Sequence, residues 1–218
     1  PTSLREELLS RIDRGCSTAR DPGFAHELLQ VAAALPQPFA VSLLDGALRA
    51  LGESDDAERL ESTLDHMIGA GILREGASPS ADELALHHPA LADVLFEWVA
   101  ASRRGRRRAR DLASHLASLV EPSHVLAAVI VRLLEVAGLD SAVVEPALVA
   151  GGQALVAGRS AEAERLFALA EDHGASGDSL LRALEGRAEA AQLMGHHRDA
   201  AGRLRRLLGL LELLRLDE

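Results

Sequence analysis

The stretch ILREGASPSADELALHHP, residues 72–89, decides how the first half of the chain folds. The helical spacing of apolar residues stops at residue 72, and residues 72–75 and 84–87 are short runs that mix apolar and polar residues. Gly, Ala, Ser, Pro and Asp make up most of the segment between them. Two such runs around a tip of turn-forming residues are typical of two strands joined by a turn. The sequence therefore predicts a small two-stranded hairpin here.

Helical patterns lie on both sides of this hairpin. Apolar residues recur at helical spacing in residues 24–35, 39–51 and 57–69 before it, and in residues 90–101 after it. Three helices, a two-stranded wing and a further helix, in this order, are typical of a winged-helix domain. We place that domain at residues 21–102.

The second half of the chain, residues 103–218, has helical patterns alone and contains an internal repeat. The matched pairs, each 37 positions apart, are Gly151 with Ala188, Ala154 with Ala191, Gly158 with Gly195, Ala163 with Ala200, Phe167 with Leu204 and Ala170 with Leu207. Small residues let two helices pack closely, and a glycine turn joins them into a hairpin. The period is close to the roughly 34 residues of tetratricopeptide repeats. The sequence therefore predicts tetratricopeptide-like (TPR-like) α–α hairpins in a protein that is mainly α.

The repeat register also predicts a binding surface. Stacked hairpins present the first helix of each pair along one inner face, and repeat proteins bind their partners on such faces. The residues that the register places there are Ala147, Ala150, Ala154, Leu184 and Ala191. We therefore expect these positions to contact a protein partner or an upstream domain of the same chain.

Composition excludes several classes of function. All 23 basic residues of the 218 are arginine, so the chain holds neither a P-loop lysine nor a Schiff-base lysine. The one cysteine, Cys16, excludes an internal disulfide and a zinc site of several cysteines, and it points to a reducing compartment, the cytoplasm. No apolar run is long enough to cross a bilayer. Because the chain starts at Pro1 rather than Met, we expect it to be part of a larger protein.

A run of arginines lies where the two predicted domains meet. Its members are Arg103, Arg104, Arg106, Arg107, Arg108 and Arg110. Such a run can bind phosphate or nucleic acid. Nucleic acid is disfavoured here because the run contains no aromatic residue for base stacking, the flanking segments are acidic and the net charge is −10. We expect the run to make an electrostatic contact with acidic groups of the same chain or another anion at the domain junction.

The sequence indicates neither a catalytic residue nor a metal site. Ser, His and Asp residues occur without the strand–turn–helix context of an activated nucleophile. The histidines include no pair one helical turn apart beside a third ligand, and His196 and His197 fall in a predicted turn. We therefore predict a part of the protein without catalysis of its own.

Several segments in this order carry a resemblance to a known family. PTSLREELLSRIDR, residues 1–14, is similar to a helix that leaves an ATPase module. Residues 28–35 and 39–48 form an apolar helix, a break, a Phe and a second apolar helix, and residues 86–97 (LHHPALADVLFE) and 102–113 are similar to a histidine motif and an Arg-rich helix. The series resembles the region that follows the nucleotide-binding module of bacterial STAND-class regulatory ATPases, such as large LuxR-type regulators and AAA-like ATPases attached to kinases and cyclases.

The resemblance implies a molecular switch. In that family an upstream ATP-dependent module changes conformation, the winged helix transmits the change, and helical repeats hold a protein partner. Residues 1–20 would be the connecting helix from the upstream module, and ATP or ADP would bind the parent protein, with no cofactor in this part of it. His88 corresponds to a winged-helix histidine that senses the bound diphosphate. From the residues alone, the simpler interpretation is that His88, before Pro89, starts a helix beside the wing.

Together these patterns predict a signal-relay and protein-interaction region of a STAND-type regulator. Two alternatives stay open. The first is a DNA-binding winged-helix transcription regulator that uses the arginines of residues 103–110. The second is a helical sensor that binds a small molecule between its hairpins.

Overall fold

The computed structural model describes residues 3–53, 56–76, 82–119 and 124–216. Within these ranges the chain forms eleven α-helices and three short strands, which confirms the prediction of a mainly α protein. The chain divides into two compact units, Pro1–Leu119 and Val120–Glu218. None of the described helices combines the length and the apolar character that crossing a membrane requires.

The first unit contains six of these helices and the three strands. They are α1 (Leu4–Thr18), α2 (Pro22–Ala34), β1 (Phe39–Ala40), α3 (Val41–Ala50), α4 (Ala57–Gly69), β2 (Leu73–Glu75), β3 (Glu83–Leu86), α5 (Pro89–Ala101) and α6 (Arg103–Ala117). Polar side chains fix several helix starts by accepting hydrogen bonds from the first free amides. Ser3 and Glu6 form a capping box on α1, and Asp21 accepts a 3.0 Å hydrogen bond from the Phe24 N–H of α2.

The sheet has three strands rather than the two that the sequence predicts. All pairs are antiparallel in the order β1-β3-β2, with Phe39 opposite Leu84 and Leu73 opposite Leu86. The third strand, β1, occupies the position where the sequence predicts the start of a helix over residues 39–51. A two-residue strand carries no alternation that could be distinguished from the helix after it. The predicted two-stranded wing is thus corrected to a three-stranded sheet.

Helix α2 forms the centre of the first unit. Leu28 and Leu29 on it are fully buried, and it packs against α1, α3 and α5. Helix α1 buries Leu8 and Ile12 and packs against α2, α4 and α5. In this structure α1 is therefore part of the first unit, and the predicted boundary at residue 20 does not separate two units.

Helix α6 also belongs to the first unit. It packs against α3 and α5 through Ala109, Leu112, Ala113 and Leu116, all of them buried. The sequence groups these residues with the second domain, residues 103–218, because helical patterns follow one another without a change of period. The buried face of α6 instead moves the division of the chain to Leu119.

The second unit consists, over its described residues, of five helices. They are α7 (His124–Ala137), α8 (Asp140–Val156), α9 (Ser160–Asp172), α10 (Asp178–Leu193) and α11 (His197–Leu216). Each helix packs against the next one along the chain, and α8 also packs against α10. Gly158 and Gly195, matched in the repeat, follow α8 and α10 with φ angles of 73° and 79°. Glycine suits this left-handed conformation because it has no Cβ, and both turns end a helix there.

The ring of Phe167 on α9 packs between two glycines. A Cβ atom placed on Gly151 of α8 would lie 2.9 Å from this ring, and one on Gly186 of α10 would lie 2.3 Å from it. Ala163 and Ala170, on the same helix, are fully buried. Small residues on α8 and α10 thus make room for one large side chain of α9, which positions these two helices beside each other.

Candidate functional site

The arginine run lies on the first turns of α6, and two of its members bind acidic residues of the first unit. Arg108 Nη2 lies 2.7 Å from Glu27 Oε1 of α2 and also pairs with Glu53, which follows α3. Arg104 Nη2 lies 2.9 Å from the same Glu27 oxygen. The Arg108 side chain is only 16% exposed, so this cluster is partly removed from water. We call Glu27, Glu53, Arg104 and Arg108 the acid–arginine cluster.

The two carboxyl groups of the acid–arginine cluster influence each other. Burial and a hydrogen bond with Glu53 raise the pKa of Glu27, against the effect of Arg108. The hydrogen bond with Glu27, together with Arg108 and Arg104, lowers the pKa of Glu53 although burial opposes it. The cluster therefore holds a proton more readily at Glu27 than at Glu53.

The other arginines of the run are exposed, and three of them make local contacts. Arg106 Nη1 donates to the Ala100 carbonyl at 3.3 Å. Arg107 and Arg110 lie 3.8 Å and 3.5 Å from Asp111, and Arg103 is exposed. The ion pairs of Arg104 and Arg108 thus connect α6 to the rest of the first unit, whereas those of Arg107 and Arg110 stay within α6.

Replacing Arg108 tests the acid–arginine cluster. Arg108→Met is expected to lower the free energy of unfolding by about 1–2 kcal/mol at pH 7, because it leaves two partly buried carboxyl groups with only the exposed Arg104. Because arginine favours the charged carboxylates, the loss should shrink as the pH falls below the ordinary glutamate pKa of 4.5. Urea denaturation at pH 7 and at a pH below 4.5 measures the loss of stability. Arg107→Met is the matched control, and an equal effect of the two variants would contradict this role of Arg108.

His88 is the N-terminal cap of α5. Its Nδ1 accepts a 3.1 Å hydrogen bond from the Ala90 N–H, and the side chain is exposed. This geometry matches the simpler sequence interpretation, a histidine that starts the helix after the wing. The nucleotide-sensing role that the resemblance implies stays a prediction.

The five residues expected to contact a partner lie in the core of the second unit. They are Ala147, Ala150, Ala154, Leu184 and Ala191, and each is 1% exposed or less. The periodic small residues mark the faces on which the helices pack together, not a surface. The prediction is corrected accordingly: these side chains cannot themselves form a binding face.

A groove is nevertheless lined by other residues of the same two helices. We call it the α8–α10 groove, and its volume is about 390 Å³. Its lining residues are Leu148, Gly152, Leu155 and Val156 on α8, Phe167 on α9, and Arg182, Glu185, Gly186 and Glu189 on α10. Val156, at the edge of the groove, is 92% exposed. An apolar floor with an open apolar rim can bind another apolar group.

Charged residues form the α10 side of the groove. Arg182 Nη1 donates to both carboxylate oxygens of Glu145 on α8, at 3.1 Å and 3.0 Å. Glu185 and Glu189 are exposed and lie one helical turn apart. Neither of them has an ion-pair partner among the described residues. The groove therefore carries two acidic groups that are free to bind a cation.

A network of ion pairs fixes the helices beyond the groove. Arg187 of α10 lies 3.1 Å from Glu164 and 2.6 Å from Glu171, both on α9. From α11, Arg203 pairs with Glu164 and Arg206 with Glu171. Burial opposes the charged form of Glu171, but Arg187 and Arg206 outweigh it and lower the pKa of this carboxyl group. The network thus braces α9, α10 and α11, which holds one wall of the groove in place.

Other candidate chemical groups do not converge. Burial, and the nearby charge of Asp13, raise the pKa of the Cys16 thiol to about 11, which keeps it protonated and unreactive. His196 lies in the turn before α11, as the sequence predicts, whereas His197 is the first residue of α11. Over the described ranges, the structure groups no three His, Cys, Asp or Glu side chains in a way that could hold a metal ion.

Comparisons with known proteins provide no functional assignment for this chain. No protein-family model, curated protein or solved structure matches this chain.

Sequence reasoning missed the two arrangements that bring distant residues together. Glu27 and Arg108 are 81 positions apart, and only the packing of α2 against α6 reveals their contact. The α8–α10 groove was also missed: the residues predicted to bind a partner belong to the same helices, but none of them lines the groove.

Proposed function

We propose that this chain is a non-catalytic signal-relay and protein-interaction region of a STAND-type ATP-dependent regulator. Its first unit acts as a winged helix that couples the nucleotide state of an upstream module to the second unit. The second unit acts as a set of TPR-like helices that bind a protein partner. The chain works in the cytoplasm, and any ATP or ADP is bound elsewhere in the parent protein.

The order of elements supports the winged-helix part of the proposal. Helices α2, α3 and α4 precede the β2–β3 hairpin and α5 follows it, which is the order that the sequence predicts. The short β1 strand pairs with β3 and ties the hairpin to the helices. Helices α1 and α6 extend this unit at its two ends. In the proposed switch, either helix could transmit a conformational change of a neighbouring module to the winged helix.

The packing of α8 to α11 supports the TPR-like part. Consecutive helices pack against each other, glycine turns follow both α8 and α10, and small buried residues lie at three matched pairs, Gly151 with Ala188, Ala154 with Ala191 and Ala163 with Ala200. Packing of α8 directly against α10 aligns the first helices of successive pairs, as expected of stacked hairpins.

The α8–α10 groove is the observation that carries the proposed function. It joins an apolar floor, formed by Leu148 and Phe167, to an open rim at Val156. Burying such a rim against a partner is favourable because apolar surface leaves water. A protein segment is the occupant that this groove fits best, because the groove is open to solvent rather than a closed cavity.

The charge distribution does not favour the DNA-binding alternative. Arg104 and Arg108 already bind carboxylates, and Arg107 and Arg110 lie beside Asp111. Helix α4 carries more acidic than basic residues. Because DNA affinity depends on neutralising phosphates, a labelled DNA duplex at low salt is expected to show no binding by fluorescence anisotropy. Salt-sensitive binding that is lost when residues 106–108 are replaced would favour that alternative instead.

Selection from a random peptide library displayed on phage tests the proposed function. The whole chain is expected to enrich peptides that bind it, because the groove offers one open apolar site. Gly152→Phe should weaken their binding at least about tenfold, because the space next to the Gly152 Cβ position is empty and a ring would fill the groove. Val156→Ser should act in the same direction, because it removes the apolar rim without adding charge and without touching the core.

The matched control for this selection is Gly202→Phe on α11. Gly202 is also helical, and its Cβ position is also open. Binding should be unchanged in this variant. Failure to enrich any peptide, or peptides whose binding ignores both groove variants, would contradict the proposed function.

A further inference from the structure

We propose that the α8–α10 groove selects a basic segment of its protein partner, one that inserts an apolar side chain between the helices and places arginine or lysine against Glu185 and Glu189. This inference rests on the proposed function and adds the chemistry of the partner. Its basis is the juxtaposition of an open apolar floor with two carboxylates, on one wall, that have no ion-pair partner in the part of the chain that the structure describes.

The floor of the groove defines the apolar contact. Leu148 and Phe167 are almost fully buried beneath it, whereas Leu155 and Val156 stand at its side. Gly152 lies between Leu148 and Leu155 along α8 and leaves open space at its Cβ position. An apolar side chain from a partner can enter this space without any movement of the core.

The charges around the floor define the polar contact. Arg182 is held by Glu145 through two hydrogen bonds, so its positive charge is neutralised within the unit. Glu185 and Glu189 are left with two negative charges on the same wall of the groove. Hydrogen bonds from arginine or lysine to a carboxylate are short and strong, and they fix the register of a bound segment.

The same charges act against other partners. An acidic segment would be repelled by Glu185 and Glu189 at close range. It would not find a compensating positive charge at Arg182, because Glu145 already pairs with this arginine. The net charge of −10 adds a long-range attraction for basic chains and a repulsion for acidic ones. Charge complementarity therefore favours a basic occupant both at contact and during approach.

Two synthetic peptides that differ only in charge test this inference. Each has one leucine in a background of Ala, Ser and Gly, with three arginines in the first and three glutamates in the second. The arginine peptide is expected to bind the whole chain at least about tenfold more tightly in fluorescence anisotropy, and its affinity should fall as salt is added. Exchange of its leucine for serine should abolish most of the binding.

Variants of the protein locate the charge effect. Glu185→Gln/Glu189→Gln should weaken the arginine peptide about tenfold. Glu58→Gln/Glu61→Gln removes the same charge from exposed positions of α4 in the first unit and should change little. Equal effects of the two double variants would overturn the inference, because the attraction would then come from net charge alone.

The outcomes also separate this inference from the proposed function. Peptides that require the groove, as judged by Gly152→Phe, but that bind without basic residues would overturn the inference and leave the proposed function standing. Failure of every peptide to bind in the groove would overturn both.

Discussion

Phe167→Ala is expected to lower the free energy of unfolding by about 3–5 kcal/mol, the range for removing a buried aromatic side chain. The ring is 5% exposed and fills the space between α8 and α10. Its loss leaves a cavity between two glycines, neither of which has a side chain that could fill it. Urea denaturation followed by circular dichroism measures the change.

The glycines on either side of this ring provide a sharper test. Gly186→Ala is expected to cost about 1–3 kcal/mol, because the new Cβ would lie 2.3 to 2.7 Å from three atoms of the Phe167 ring. In a Phe167→Leu background this cost should fall, since the smaller side chain leaves room for the methyl group.

Gly152→Ala is the matched control on the neighbouring helix. Its Cβ position is open, so the substitution should raise stability by about 0.5–1 kcal/mol through helix propensity alone. Equal effects of Gly186→Ala and Gly152→Ala, or no coupling between Gly186 and Phe167, would contradict the packing described for the second unit.

Gly105→Ala is expected to destabilise the first unit by about 3 kcal/mol, at the upper end for overpacking. A Cβ at this position would lie 2.0 Å from the Val99 carbonyl oxygen and 2.8 Å from its carbon. These are backbone atoms near the end of α5, so relief requires α5 and α6 to move apart. That movement would also disturb the cap at the start of α6, where the Gly105 N–H donates to Ser102 Oγ at 2.9 Å.

Gly69→Ala is the control for this substitution in the same unit. Gly69 is the last residue of α4, and nothing lies within 4 Å of its Cβ position. Alanine there should be neutral or slightly stabilising in urea denaturation. If Gly105→Ala behaved like Gly69→Ala, the close approach of α5 and α6 would be disproved.

The helices could be predicted from the sequence because local features define them. Apolar residues at helical spacing, caps such as Asp21, and glycine turns such as Gly158 act within a few positions of the chain. The strand β1 could not be predicted, because its two residues acquire their conformation only by pairing with β3. Phe39 in β1 is buried by the fold of the whole first unit, so its burial is not a local property of the sequence.

The candidate sites were harder to predict because they depend on which face of a helix is covered. Ala147, Ala150 and Ala154 repeat regularly for the sake of packing, and regularity alone does not distinguish a packed face from a binding face. The same holds for the arginine run. A row of like charges predicts that acidic groups lie nearby, but only the fold identifies them as Glu27 and Glu53.

The central claim is that the α8–α10 groove holds a segment of a protein partner, and the methyl signals of leucine and valine in NMR spectra test it most directly. The spectra would follow titration of the whole chain with the tightest peptide from the displayed library. We predict shifts confined to Leu148, Leu155 and Val156, the leucine and valine residues that line the groove. Unchanged groove signals, or shifts at the exposed Leu204, Leu208 and Leu211 of α11 in their place, would contradict it.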